Sequence, residues 1–273
     1  MIDIDKAKKR FEKYVSQYDL NNDKIRLKMI HTYCVVETSK YIAIHEQLSQ
    51  EDYQLSLLIA LLHDIGRFEQ LKQFNSFSDQ NVDHALLGVK ILFEDNLIRE
   101  FIDTDQYDQI IKSAIQYHSL YQLPVIKDQK ILLHAKLIRD SDKLDNFRVK
   151  NIESIETLFD ISEENFVNQL VSDNIIDDIK KHHLILSSNR KNEVDMWVSY
   201  FAFVFDLNFN ASFQYLKETQ YIRKNIDRFV YNPLLKKINL TKNKNLEKIN
   251  LYGSGVKKIT LGKNNKIKNA NLN

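Results

Sequence analysis

The chain has 273 residues, of which 43% are hydrophobic and 28% charged, and its net charge is +2. This length can bury a sizeable core in one large domain, or in one domain with an appendage. The single cysteine permits no internal disulfide and the N-terminus lacks an apolar signal-peptide stretch, so we expect a reducing, cytoplasmic setting. No run approaches the roughly 20 apolar residues that span a bilayer, so no membrane segment is expected.

The scarcity of glycine and proline predicts a helical protein. The chain contains five glycines and two prolines, and only Gly66 and Gly88 precede residue 250. The turn residues that punctuate β-sandwiches and barrels are therefore missing. Glycine-rich phosphate loops are equally absent from the sequence, which excludes P-loop, kinase-like and dinucleotide-binding proteins. We expect an all-α fold for most of the chain.

The first two predicted helices carry polar residues in apolar surroundings. His31 lies in residues 22–48, whose apolar positions favour a helix with one buried side. Six consecutive apolar residues, Leu57–Leu62, predict a helix that is buried on most sides, and His63 and Asp64 follow it directly. Buried polar groups are costly unless strong partners satisfy them. Something must therefore satisfy this adjacent imidazole and carboxylate.

A third histidine stands at a predicted helix start. The segment HALLGVKILFEDNLI begins at His84, and Ser78, Asp79 or Asp83 could each cap it. Gly88 lies four residues further on, on the same helix face. Its missing side chain would let another helix or a ligand come close.

The next two predicted helices contribute one more histidine and two acids. His118 closes QIIKSAIQYHSLYQLP, which Pro124 stops. In LLHAKLIRDSDKLDNFRV, Asp140 and Asp142 are two residues apart, about 200° around a helix, so they cannot both point inward. The apolar pattern alone does not decide between them. His134 could border a pocket, but a core or capping role is the stronger expectation, and His45, His182 and His183 are expected at the surface.

Residues 151–232 are predicted to form a helical extension of the same domain. They carry an aromatic series at helical spacing: Trp197, Phe201, Phe205, Phe209, Phe213 and Tyr221. Such a series is typical of a core or a homodimer contact rather than of a base-stacking platform. Pro233 marks the exit from the domain, which we place at 1–232.

The C-terminal segment, 233–273, differs in charge and pattern. Ten lysines and one glutamate give it +9, so the preceding residues carry −7. Apolar residues recur in units of 10 or 11 residues with Asn-rich turns, which resembles short leucine-rich repeats and predicts a small β appendage. Such a short solenoid would lean on the helical domain, associate with a protein partner or with itself, or stay partly disordered. A low-complexity Lys/Asn tail is the alternative, and nucleic-acid binding is disfavoured because aromatic platforms are missing.

The polar residues of the main domain, taken together, resemble a known family. A helical bundle can bring imidazoles and carboxylates from several helices to one interior point. The residues concerned are His31, the doublet His63-Asp64 within HDIGR, His84, His118 and Asp142 within DSDKLD. This order resembles the HD superfamily of metal-dependent phosphohydrolases over roughly residues 25–150. HDIGRFEQ, VDHALLGVKILF and LIRDSDKLDNFRV further resemble one uncharacterised bacterial branch.

The resemblance implies an HD-domain helical bundle and a metal site. A first divalent cation would be bound by His31, His63, Asp64 and Asp142, and a second one would add His84 and His118, with Asp64 as the bridge. The resemblance favours Asp142 over Asp140. Catalysis would involve Asp64 and Arg67. A substrate phosphate could meet Arg67, Arg139 or Lys143, for which the alternative is a surface ion pair with Glu69 or Asp145.

Two enzyme classes and one binding function are compatible with these residues. The leading hypothesis is a phosphohydrolase that cleaves a small phosphoester, such as a nucleotide or dinucleotide, by metal-activated hydroxide. A di-iron oxygenase is the second, because imidazole and carboxylate suit many metals, here Mn, Mg, Fe, Zn, Ni or Co. A non-catalytic nucleotide-sensing module is the third.

Overall fold

A computed structural model describes residues 2–231, and within this range the chain forms thirteen α-helices and no strand. The prediction of an all-α fold is therefore confirmed for these residues. The predicted leucine-rich-repeat-like appendage, 233–273, lies outside the described range. No helix within residues 2–231 is long and apolar enough to cross a membrane.

The helices occur in the following order along the chain. They are α1 (Ile4–Val15), α2 (Asp23–His45), α3 (Gln50–Leu62), α4 (Ile65–Phe74), α5 (His84–Val89), α6 (Asp108–Tyr117), α7 (Gln129–Ile152), α8 (Ile155–Phe159), α9 (Glu163–Val167), α10 (Asp173–Lys180), α11 (Glu193–Ser199), α12 (Asn210–Thr219) and α13 (Tyr221–Tyr231). A π-helical turn (Lys90–Glu94) continues α5, and 3₁₀ turns cover Leu97–Glu100, Ser187–Asn189 and Tyr200–Asp206.

The two longest helices, α2 and α7, pack side by side and run antiparallel. The Nδ1 of His31 lies 2.6 Å from the Oδ2 of Asp145, whereas the hydroxyl of Thr38, further along α2, donates to the carbonyl of Ser141, earlier in α7. Moving towards the start of α2 therefore means moving towards the end of α7. This register brings the polar residues of both helices to the same level of the bundle.

Helix α3 forms the centre of the bundle. It packs against α1, α2, α6 and α7, and every residue from Leu55 to Leu62 is buried. This environment explains why the helix carries apolar residues on all sides rather than on one face. The prediction of a helix that is buried on most sides is confirmed, and the chain leaves this core directly at His63.

The crossing of α4 and α5 depends on two glycines. A Cβ on Gly66 would lie 2.3 Å from the carbonyl oxygen of His84 and 2.4 Å from the backbone nitrogen of Gly88. A Cβ on Gly88 would meet its nearest atom, the backbone nitrogen of Gly66, at 3.4 Å, an ordinary contact. Gly66 is therefore the residue that allows the two backbones to touch, and this contact sets the position of His84.

The extension after α7 packs against the bundle but is not one continuous helix. The aromatic series is divided among α11, a 3₁₀ turn, α12 and α13. Phe201, Phe209 and Tyr221 pack on a cluster that includes Leu144 and Phe147 of α7. In contrast, Trp197 belongs to a second cluster, with Phe159 and Phe166, and Phe205 and Phe213 are exposed.

We expect Gly66→Ala to destabilise the protein strongly, by about 1–3 kcal/mol or more, because the added methyl group meets rigid backbone atoms. The matched variant Gly88→Ala should change the free energy of unfolding by less than about 1 kcal/mol, since its Cβ fits and alanine favours a helix. Urea denaturation of both variants measures the difference. Equal midpoints for the two variants would contradict the close contact.

Candidate metal centre

Three of the six predicted ligands lie within helices, and the other three lie at helix ends. They are His31 in α2, His63 and Asp64 between α3 and α4, His84 at the start of α5, His118 at the end of α6 and Asp142 in α7. The doublet occupies the turn where α3 ends and α4 begins. This turn lets two adjacent side chains reach the same interior point. Asp83 supplies the cap of α5 by accepting from the backbone amides of Ala85 and Leu86.

A first group of ligand atoms lies around one carboxylate oxygen of Asp64. The Oδ2 of Asp64 is 3.7 Å from the Nε2 of His31 and 3.4 Å from that of His63. The Oδ1 of Asp142 lies 3.1 Å from the Nε2 of His31 and 3.9 Å from that of His63. Ligands bound at 2.0–2.2 Å to one cation lie at most about 4.4 Å apart, and these four distances are within that limit.

A second group lies around the other oxygen of the same carboxylate. The Oδ1 of Asp64 is 3.3 Å from the Nε2 of His84 and 3.8 Å from that of His118. The two Nε2 atoms of His84 and His118 are 3.2 Å apart. Asp64 therefore presents one oxygen to each group, which is the arrangement that a carboxylate bridging two cations requires.

All four imidazoles direct Nε2 inward because Nδ1 has a hydrogen-bond acceptor outside the centre. The acceptor of His31 is Asp145, whose Oδ2 lies at 2.6 Å. His63 and His118 each have a backbone carbonyl oxygen of their own preceding turn at 2.7 Å, those of Ala60 and Ile115. Such contacts fix the tautomer and leave Nε2 free to bind a metal.

The acceptor for His84 is part of a larger network. The Nδ1 of His84 lies 2.8 Å from the Oδ1 of Asp79 and 2.6 Å from a guanidinium nitrogen of Arg67. With a cation on Nε2, Nδ1 would carry the proton and donate to Asp79. Arg67 donates to Asp79 at 3.0 Å and to the side-chain oxygen of Gln70 at 2.5 Å. Asp79 thus holds both His84 and Arg67.

The two carboxylates are ionised although they lie among buried groups. Burial raises the pKa of Asp64, but the ammonium of Lys28 and the contacts with His63 and His84 outweigh it and hold this pKa well below its usual range. Burial likewise raises the pKa of Asp142, and the interaction with His31 lowers it to well below normal. Negative charge is therefore present where a cation would bind.

The histidines of the second group are neutral at neutral pH. Burial and the neighbouring imidazoles His84 and His63 lower the pKa of His118 to about 3. Burial and the charge of Arg67 lower the pKa of His84. His31 differs, because its contacts with Asp142 and Asp145 raise its pKa in spite of burial and the charge of Lys28. Metal binding at His31 would therefore release a proton.

A divalent cation would satisfy the ligand atoms of the centre better than their hydrogen bonds to one another do. The Nε2 atoms of His31 and His63 are buried and make no hydrogen bond of good geometry among the described residues, although carboxylate oxygens lie 3.1 Å and 3.4 Å from them. Two overlapping groups of three have ligand atoms within 4.8 Å of one another: His31, His63 and Asp142, and His63, Asp64 and His118. A buried polar atom without a partner is costly, and a bound cation would remove that cost. Each of these two groups of three could hold a cation, and the two groups share His63.

The three expected phosphate ligands have protein partners. Arg67 is buried in the network of Asp79. Arg139 donates to the carbonyl oxygens of Tyr117, His118 and Leu120 and to the carboxylate of Asp206. Lys143 pairs with the same Asp206 at 2.9 Å. These contacts explain the positions of all three side chains without a substrate, and none of them is a surface ion pair with Glu69 or Asp145.

Asp140 has a structural role. Its carboxylate accepts hydrogen bonds from the backbone amides of Asn208 and Phe209 and from the hydroxyl of Ser212, at the start of α12. The ambiguity between Asp140 and Asp142 is thereby resolved in position, since only Asp142 faces the histidines. His134 is buried 3.1 Å from Asp52, outside the centre. The remaining histidines, His45, His182 and His183, are exposed, as expected.

Three residues of this region were not identified from the sequence. Lys28 lies one turn before His31, and its ammonium donates to the Oδ2 of Asp64 at 2.6 Å. Asp79 and Asp145 are the acceptors that orient histidines. Asp145 follows Asp142 by three residues, so helical spacing could have indicated that the two share a face. Nothing in the sequence indicates that Lys28 or Asp79 would reach the centre.

Comparison with protein families matches residues 29–146 to the HD domain. This range contains all six expected ligands and supports the resemblance to the HD superfamily. HD domains are generally metal-dependent hydrolases. Neither the curated proteins nor the solved structures gave a significant match. The finer assignment to one bacterial branch stays a prediction.

We expect Mn²⁺ to raise the melting temperature of the protein by several degrees, because a cation that binds only the folded state stabilises it by mass action. His63→Ala should lose this shift, since it removes a buried ligand from the centre. His134→Ala is the matched control, a buried histidine outside the centre, and should keep the shift. An undiminished shift in His63→Ala would show that the cation binds elsewhere.

Asp145→Asn should weaken Mn²⁺ binding by about 10- to 100-fold, because the anionic acceptor that orients His31 is lost. Competition with a chromogenic chelator measures the dissociation constant. Asp140→Asn, on the same helix, should lower the melting temperature and leave the Mn²⁺ affinity within about twofold of wild type. Similar affinities for both variants would argue against Asp145 as the orienting acceptor.

Proposed function

We propose that the protein is a metal-dependent phosphohydrolase that cleaves a small phosphoester, with a nucleotide as the substrate class. The observation that carries this proposal is the position of Asp64, whose two oxygens face two separate groups of imidazoles. Paired cations held in this way are suited to the displacement of a phosphoryl group, since one can act on each of the attacking and leaving oxygens. The match to the HD domain supports the same class.

Transition metals are the cations that this donor set favours. Four imidazole nitrogens and two carboxylates suit Mn, Fe, Co, Ni or Zn, whereas Mg²⁺ prefers oxygen ligands and retains water. When bound, a divalent cation activates water at neutral pH and stabilises the charge of phosphoryl transfer. The protein contributes the fixed ligand positions and the acceptors that hold each imidazole. The low pKa of His118, about 3, keeps that imidazole neutral and ready to bind.

The centre is open on the side of Asp142 and Lys28. The side chain of Asp142 is 20% exposed and that of Lys28 13%, whereas His31 and His63 are at most 1% exposed. A substrate would therefore approach over the N-terminal half of α2. We propose Lys28 as the first contact of the substrate phosphate, because its ammonium already lies beside the negative charge of Asp64 and a cation bound there would compete with it.

A direct assay tests the proposed activity. Wild-type protein with Mn²⁺ should release phosphate from at least one member of a panel of mono- and dinucleotides. Asp64→Ala should reduce the rate about a thousandfold, or roughly 4 kcal/mol in the barrier, because it removes the ligand shared by both groups. Asp103→Ala changes an exposed aspartate outside the centre and serves as the control.

Equal rates for wild type and Asp64→Ala would remove this centre from catalysis. The same preparations should be analysed for metal content and visible absorption. Bound iron with a visible chromophore, in protein that releases no phosphate, would favour the oxygenase hypothesis. Nucleotide binding that raises the melting temperature without turnover would favour a sensing module.

A further inference from the structure

A buried cation on α7 contacts the backbone of an expected ligand. Arg139 is 1% exposed, and its guanidinium donates to carbonyl oxygens of the turn that ends α6. These oxygens belong to Tyr117 at 3.1 Å, His118 at 3.2 Å and Leu120 at 2.5 Å. The last carbonyl groups of a helix lack partners within it, and a cation there also opposes the negative end of the helix dipole. Arg139 therefore holds the end of α6 against α7.

The local contact of the His118 ring cannot replace this one. Its Nδ1 lies 2.7 Å from the carbonyl oxygen of Ile115, which belongs to the same helix. That contact orients the ring relative to α6 and moves with α6. The apolar core holds the helix through Ile111, Ala114 and Ile115. Arg139 adds a polar contact at the ligand residue itself, beyond the last of these core residues.

Arg139 in turn depends on an acidic partner. The Oδ2 of Asp206 accepts from the guanidinium at 2.6 Å, and among residues 2–231 no other carboxylate lies within 4.0 Å of Arg139. A buried charge that loses its partner is costly, so Asp206 determines where the guanidinium is stable. Asp206 ends the 3₁₀ turn Tyr200–Asp206, which lies outside the segment matched to the HD domain.

The extension after α7 reaches the same turn at a second point. The hydroxyl of Tyr121 donates to the carbonyl oxygen of Leu184 at 3.1 Å. The guanidinium of Arg139 also lies 3.4 Å from the carbonyl oxygen of Tyr121. Tyr121 is 40% exposed, so water competes with its hydrogen bond and the buried pair of Arg139 and Asp206 is the stronger connection.

The ring of His118 belongs to the second group of ligand atoms. Its Nε2 lies 3.8 Å from the Oδ1 of Asp64 and 3.2 Å from the Nε2 of His84. The first group, around the Oδ2 of Asp64, instead includes His31 and Asp142, which α2 and α7 carry. A displacement of His118 would therefore affect the second cation position more than the first.

We infer that Arg139 and Asp206 are positioning residues for His118, so that the extension after α7 completes the second cation position. Arg139 acts through the backbone of His118, and Asp206 acts through Arg139. This inference rests on the proposed function, since a centre with two cations gives His118 its role. It assigns a function to the extension, which holds in place a ligand that the bundle carries.

Asp206→Asn tests the pair, because it removes the charge and keeps the shape of the side chain. Asp140→Asn is the matched control. It also removes a carboxylate charge between α7 and the extension, whose backbone amides donate to Asp140, but it leaves the turn of His118 untouched. Arg139→Met is a second test, since Asp206 keeps Lys143 as a partner at 2.9 Å. Asp206→Glu restores the charge.

Titration of the full-length protein with Mn²⁺, with free Mn²⁺ measured by its EPR signal, gives the dissociation constants of the bound ions. Wild type should bind two ions. Asp206→Asn and Arg139→Met should raise one constant at least about tenfold and leave the other within about twofold, because a single ligand loses its orientation. His118→Ala should raise the same constant. Asp140→Asn and Asp206→Glu should keep both constants close to those of wild type.

Modification by diethyl pyrocarbonate, which acylates accessible neutral imidazoles, tests the position of His118 without metal. EDTA-treated proteins are modified, and mass spectrometry locates the acylated histidines. We expect His118 to react at least about fivefold faster in Asp206→Asn than in wild type, because the turn that carries it opens locally. His134, a buried histidine that contacts Asp52, should react at the wild-type rate. General loosening of the fold would expose both histidines together.

The outcomes separate the positioning of His118 from the proposed activity. Continued protection of His118 in both Asp206→Asn and Arg139→Met would overturn the inference, and so would equal exposure of His118 in Asp140→Asn. Equal weakening of both bound ions would also count against it. A wild type that binds no Mn²⁺ would remove the proposed function instead. The modification of EDTA-treated protein still decides the positioning in that case, since it requires neither metal nor turnover.

Discussion

The burial of the Asp64 carboxylate is the constraint on which the rest of the structure depends. This group is 2% exposed and lies against four imidazoles, so the protein must supply positive charge around it. In the described residues Lys28 supplies part of that charge directly, at 2.6 Å. The other groups near this carboxylate are imidazole nitrogens, and the Nε2 atoms of His31 and His63 are buried without a hydrogen bond of good geometry. A cation bound between these carboxylate oxygens and imidazole nitrogens would satisfy both.

The helices are arranged to satisfy that constraint. The glycine contact between α4 and α5 brings the backbone of His84 against the turn that carries Asp64. The pairing of α2 with α7 places His31 between Asp142 and Asp145, so that one carboxylate faces the centre and the other fixes the ring. Around this polar point, the apolar residues of α3 supply the burial that offsets its cost. The fold and the centre are therefore inseparable.

Local sequence patterns predicted the helices, and the resemblance to a family predicted the metal ligands, but neither predicted the residues that orient the histidines. The doublet stands out because a polar pair ends an apolar run, and Asp142 could be preferred to Asp140 only by resemblance. The contact of Lys28 with Asp64 joins residues 36 positions apart, and that of Asp145 with His31 joins residues 114 apart. Such contacts depend on helix packing, which periodicity within one segment does not encode.

The same limit explains why the sequence offered Arg139 as a contact for a substrate phosphate or as a surface ion pair, whereas the structure buries it against protein partners. It is almost fully buried because the extension after α7 returns to cover it with Asp206. That extension lies beyond the segment matched to the HD domain, which ends at residue 146. The six expected metal ligands belong to the matched segment, whereas Asp206 lies outside it. The added helices therefore cover α7 from outside the matched segment and supply none of the six expected ligands.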